Sequence, residues 1–151
     1  MKKIAILSMI MVMLAILVLP GSVSAGGRPL SATLTGEAEV TAGGVPNQGD
    51  LDGIGTAHIT LNQGQGEVCY ELHVSGILLP AAAAHIHVGP ATTTGPIVVG
   101  LSAPDASGHA SGCVSADPDL IKAIRQNPGA YYVNVHNADF PAGALRGQLS
   151  K

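Results

Sequence analysis

The sequence predicts an all-β domain, a small Greek-key-like β-sandwich or barrel with one short helix near residues 117–127. Three observations lead there. Gly and Pro, 20 and 10 in a chain of 151 residues, interrupt it about every eight to twelve residues, the turn spacing of sandwiches and barrels. Between the interruptions, apolar and polar residues alternate with the period of two that a half-buried strand requires. A single segment has helical spacing instead.

The elements follow in order. Residues 30–40 read as a first strand, and 41–53 as a loop rich in Gly, Pro, Asn and Asp. Residues 56–61 alternate, with Ala57, Ile59 and Leu61 on one face and Thr56, His58 and Thr60 on the other. A turn at 62–66 leads into 67–74, where Val68, Tyr70, Leu72 and Val74 share a face and Cys69, Glu71 and His73 share the opposite one. Residues 83–88 alternate again and end at Gly89-Pro90. Residues 96–101 and 110–115 give two more strands. The helix is signalled by Asp117 as cap, Pro118 in the first turn and a stripe of Leu120, Ile121 and Ile124. Asp119 lies early and Lys122 and Arg125 late, as the helix dipole prefers. Asn127-Pro128-Gly129 stops it. Residues 131–136 and 144–149 close the chain as strands.

The N-terminus has the three parts of a secretory signal: Lys2-Lys3, an apolar run over residues 4–19, and small residues ending Val23-Ser24-Ala25. A spanning helix needs about 20 apolar residues, so residues 1–25 are expected to be a cleaved leader rather than an anchor. Residues 26–29 form a short linker and 30–150 the domain. All four Met lie in the leader. Lys2 and Lys3 leave with it, so the formal charge moves from −3 to −5 over the remaining 126 residues. An acidic surface repels phosphate backbones, which excludes nucleic acid as a partner. The expected location is extracytoplasmic: secreted, periplasmic or at the cell surface. Cys69 and Cys113, the only cysteines, are expected to pair there, because exported cysteines oxidise; the alternatives are two buried thiols or two metal ligands. A bridge would close a 44-residue loop, worth roughly 4 kcal/mol, with its Cα atoms about 4.4–6.8 Å apart.

The sharpest local feature is Ala84-His85-Ile86-His87-Val88-Gly89-Pro90. Alternation puts His85 and His87 on one strand face, roughly 7 Å apart at Cα. Two imidazoles so placed can chelate a metal ion such as copper or zinc. His136, in Tyr132-Val133-Asn134-Val135-His136, is the candidate third ligand, with Asn134, Tyr132 or Glu71 expected to hold the outer ring nitrogens. His58 and His73 occupy polar faces too, but no spacing ties them to the pair. The other reading is a set of histidines that only exchange hydrogen bonds with loops and strands. Arg146 and Gln148 share a face of the last strand. The two can hold a ligand carboxylate or order the His site; more simply, Arg146 pairs with an acid and fixes the hairpin. No nucleophile–base order, phosphate-cradling loop or paired carboxylates stand out, so no catalytic residue is assigned and an enzyme is not expected.

Four segments in order, His85-Ile86-His87-Val88-Gly89-Pro90, Gly95-Pro96-Ile97-Val98-Val99, Tyr131-Tyr132-Val133-Asn134-Val135-His136 and Phe140-Pro141-Ala142-Gly143-Ala144-Leu145-Arg146-Gly147-Gln148-Leu149, resemble the CHRD domain, over about residues 30–150. That family takes its name from repeats in the animal protein chordin, and many bacterial secreted proteins carry one copy. The resemblance implies a compact all-β extracellular domain without a generally assigned reaction: a secreted or cell-surface binding or structural module whose partner is an extracellular ligand or protein. A second resemblance leads to the alternative, a copper or zinc binding protein. His-x-His on a strand of a small disulfide-bonded β-domain is similar to the copper-zinc superoxide dismutases, which would make His85 and His87 copper ligands and His136 a later one. The zinc loop and the Arg-bearing active-site loop of that family are not matched here.

The leader yields the first prediction. N-terminal sequencing of exported protein should find Gly26 at or near the start; intact Met1 in a membrane fraction would overturn the cleavage.

Overall fold

The computed structural model describes residues 29–151. The leader over residues 1–25 and most of the linker lie outside the described residues. The strands are β1 (Leu30–Thr35), β2 (Ile54–Asn62), β3 (Glu67–Ser75), β4 (Ala83–Val88), β5 (Ile97–Leu101), β6 (His109–Ser115), β7 (Tyr131–His136) and β8 (Leu145–Gln148), with helix α1 (Pro118–Gln126) between β6 and β7. They form one antiparallel sheet in the order β5-β4-β7-β8-β1-β2-β3-β6. The edge strands β5 and β6 touch, so the sheet curls into a nearly closed barrel. The alternatives of sandwich and barrel thus resolve to a barrel-like single sheet. First and last strands meet at Thr35↔Arg146 and at a bridge between Ser31 and Ser150.

The interior is built by alternation. Ala57, Ile59 and Leu61 of β2 and Val68, Tyr70, Leu72 and Val74 of β3 are all buried, as their shared faces predict. Ile86, Val133, Val135 and Leu145 continue the core across β4, β7 and β8. Helix α1 contributes Ile121 and Ile124 to the same cluster. Its N-terminus is capped as expected, Asp117 Oδ1 accepting from the Asp119 N–H at 2.7 Å.

One strand boundary differs by more than two residues. The first strand ends at Thr35 rather than near residue 40. Beyond it the chain turns: Thr35 Oγ1 accepts from Ala38 N–H and Gly36 C=O from Glu39 N–H. Residues 37–53 then serve as a cover, tucking Glu39 and Val40 into buried positions.

Cys69 and Cys113 are bonded, and neither is free. They face each other across β3 and β6, with Cα atoms 3.9 Å apart. This is closer than the expected span; the two are directly opposed on antiparallel strands, where paired residues already stand only about 4.5–5.5 Å apart. The bridge ties the edge strand β6 to the sheet. Replacing both cysteines by Ala should lower unfolding stability by roughly 4 kcal/mol, read by urea denaturation. A loss below about 1 kcal/mol would show that the pairing of β3 with β6 holds unaided.

Candidate metal centre

The outer face of β4, β7 and β8 is not open to water. In β7 the first five residues are buried on both faces. The inner side packs on the core, while loops before β2, after β4 and after β7 lie over the outer side. Beneath them is a polar layer set by register: His85 lies opposite Asn134 and His87 opposite Tyr132, and Asn134 lies opposite Arg146.

Arg146 is the most buried charge in this layer, 1% exposed. Its Nη2 donates to the carbonyls of Pro90 (2.6 Å) and Thr93 (3.0 Å). Its Cζ lies 3.6 Å from the centroid of the Tyr132 ring, a cation–π contact. Glu39 Oε1 stands 4.0 Å from Nη1. Glu39 also accepts from Asn134 Nδ2 at 2.5 Å, and Asn134 donates to the Leu145 carbonyl as well. Burial pushes the Glu39 carboxyl above its usual range, against the pull of the Val40 N–H, Asn134 and Arg146. Arg146 is pushed below its usual value by burial, opposed by Tyr132 and Glu39. Gly143, at φ 148°, leaves room for this pair, since a Cβ there would strike Glu39 Oε2 and Asn134 Nδ2.

The three histidines occupy one end of the layer. His87 stacks on Tyr132, ring centroids 4.8 Å apart and nearly parallel. Its Nδ1 lies 2.8 Å from the Gly95 carbonyl; a carbonyl only accepts, so Nδ1 carries the proton and Nε2 the lone pair. The approach needs glycine at 95, where a Cβ would strike the Val88 carbonyl. Gly95 N–H in turn donates to Tyr132 Oη. His136 repeats the pattern, Nδ1 donating to Pro141 C=O at 3.1 Å. Its Nε2 faces His85 Nδ1 at 3.2 Å. Each of the three residues offers a ligand atom within 4.8 Å of the other two. His87 Nε2 is buried with no hydrogen-bond partner.

Electrostatics disfavours the charged form of all three rings. Burial lowers the pKa of each. For His85 the neighbouring His87 adds to this. For His87 the Gly95 hydrogen bond opposes it and Arg146 adds to it. For His136 the Pro141 bond opposes it, while His85 and His87 add to it. Neutral imidazole is the metal-binding form.

The structure therefore brings His85, His87 and His136 together and puts Tyr132, Asn134 and Arg146 beside them. The outer partners differ from expectation. Backbone carbonyls of Gly95 and Pro141, rather than side chains, hold the outer nitrogens. Glu71 is elsewhere, on β3 beside His73. Glu39 was not legible as a site residue: it lies 95 residues from Asn134, and no local pattern marks it.

Residues 30–149 match the model of the CHRD domain. The chain belongs to the CHRD domain family. The match spans every strand of the barrel, so the polar layer lies wholly within the CHRD domain. No curated protein matches the chain.

The layer makes a stability prediction for this CHRD domain. Glu39→Ala leaves the Arg146 charge buried without its carboxylate and should cost about 3 kcal/mol or more in urea unfolding. A cost under about 1 kcal/mol would mean that the carbonyls and the Tyr132 face suffice for Arg146.

Proposed function

We propose that the chain is an exported, non-catalytic binding module of the CHRD type, and that its best-built site holds one copper or zinc ion on His85, His87 and His136. The single observation that carries the metal reading is His87 Nε2. A hydrogen-bonded reading of the cluster pairs His85 with His136 and leaves that buried acceptor unserved, a cost of about 1–3 kcal/mol. A cation at the convergence of the three rings removes it.

The donor set fits. Three imidazoles suit copper or zinc, and carbonyls on the far nitrogens of His87 and His136 fix ring orientation and raise basicity. Nitrogens about 2.0–2.1 Å from one zinc in tetrahedral geometry sit about 3.3 Å apart; His85 Nδ1 and His136 Nε2 are 3.2 Å apart. The ligand atom of the third ring lies within 4.8 Å of the other two, so a closing shift of at most about 1.5 Å completes the set.

Export is supported by the leader pattern of residues 1–25 and by the disulfide, a bond of oxidising compartments. Among the described residues no helix is long and apolar enough to cross a membrane. The binding-module reading is supported by the match of residues 30–149 to the CHRD domain.

Elemental analysis of tag-free mature protein, with thermal melts before and after chelation, tests the reading. Copper or zinc should be retained, and its return should raise Tm, since a ligand at 100 times its Kd stabilises by about 2.7 kcal/mol. His87→Ala should lose one equivalent of metal. A wild-type protein that holds no metal, and whose Tm is unmoved by either ion, would overturn the site.

A further inference from the structure

We infer that the outer face of β2, β3 and β6 carries a second, solvent-open site for a divalent transition-metal cation, built from Glu71, His73 and His109. It shares no residue with the β4–β7 site and does not rest on that reading.

The chain has six histidines, and the fold sorts them into two groups of three. His85, His87 and His136 lie on β4 and β7. His58, His73 and His109 lie on β2, β3 and β6, on the other side of β8 and β1 in the sheet. Register makes the second group a compact grid: His73 is directly opposite His109, and Glu71 is directly opposite His58. Side chains so opposed stand about 4.5–5.5 Å apart at Cβ.

The donor atoms converge. Glu71 Oε1 is 3.1 Å from His73 Nε2 and 3.8 Å from His109 Nε2. The His73 and His109 rings are 4.7 Å apart at their centroids. One ligand atom from each of the three lies within 4.8 Å of the others. Glu71 is held below the ordinary carboxylate range, first by its hydrogen bond from His73 and then by the nearness of His73, His109 and His58. It thus presents an ionised carboxylate to three imidazoles.

Two imidazoles and a carboxylate are a donor set that takes zinc and leaves positions for water. This distinguishes the face from the buried all-nitrogen cluster. A surface Glu–His pair alone contributes little to stability, about 0–1 kcal/mol, so stability gives no account of why two imidazoles crowd one carboxylate. Beside the cluster the same face dips into a concavity of about 490 Å³ lined by Thr33, Ile54, Thr56, His73 and Val74, room next to the open positions of the ion.

The test is a zinc chloride titration of the tag-free mature protein, followed by long-range ¹H–¹⁵N spectra of the imidazole nitrogens. His73 and His109 signals should shift in step with one equivalent of zinc. The double variant His73→Ala/His109→Ala, on side chains outside the core cluster, should bind one equivalent fewer than wild type. In His87→Ala this equivalent should persist, so failure of the β4–β7 site is told apart from failure here. His73 and His109 signals that move only at large zinc excess, or a double variant with unchanged stoichiometry, would overturn the inference.

Discussion

The outer half of the structure depends on one buried charge. Arg146 is the second residue of β8, 1% exposed beneath the covering loops, where water cannot solvate it. An unpaired guanidinium in such a place is too costly to keep. It is held from three directions: the Pro90 and Thr93 carbonyls, the Tyr132 ring, and the Glu39 carboxylate from the loop after β1 at 4.0 Å, although its Nη1 has no hydrogen-bond partner. Holding it draws two loops over β4, β7 and β8. The loop after β4 brings Gly95 with it, and the Gly95 carbonyl orients His87. The burial that lowers the histidine pKa values follows from the charge that pulled the roof down.

Histidine therefore does two different things on the two sides of this barrel. Under the roof, burial and a nearby guanidinium penalise the imidazolium form, and backbone carbonyls choose the tautomer. Lone pairs then point where a cation can use them. On β3 and β6 the described residues leave Glu71, His73 and His109 facing solvent. There an ionised Glu71 supplies the negative charge that the buried cluster lacks, and water fills whatever the side chains leave open. An all-imidazole set and a mixed imidazole–carboxylate set differ in charge and donor type, although histidines on strands supply most of both.

Much of this was legible in the sequence, and the reasons are local. Period-two alternation in β2 and β3 gives the core face, and the Asp117-Pro118 cap gives the helix, because each signal is written within a few residues. His85 and His87 share a face for the same reason. The partnership with His136 follows from the motifs of the CHRD domain rather than from spacing. What the sequence withheld is long-range. The turn at Gly36 could not be separated from a continuing strand, since Glu39 and Val40 are buried by a tertiary contact rather than by alternation. Glu39 finds Asn134 across most of the domain, and Glu71 was expected near the wrong histidines because its strand neighbour was unknown.

His109 shows how a covalent constraint carries long-range information that periodicity does not. Beginning the sixth strand at residue 110 leaves His109 in a turn. The disulfide says otherwise once its two residues are taken as directly opposed. Four residues on from Cys69 is His73, and four residues back from Cys113 is His109; in an antiparallel pair those two must also face each other. Both then lie on the face of their cysteines, since four is an even step. The same bond fixes the edge strand β6, whose other side has no ladder partner in the sheet order. An edge strand frays most easily, and fraying here would carry His109 away from Glu71 and His73. The cross-link thus holds the register in which those three side chains meet, as the buried guanidinium holds the roof over the other three histidines.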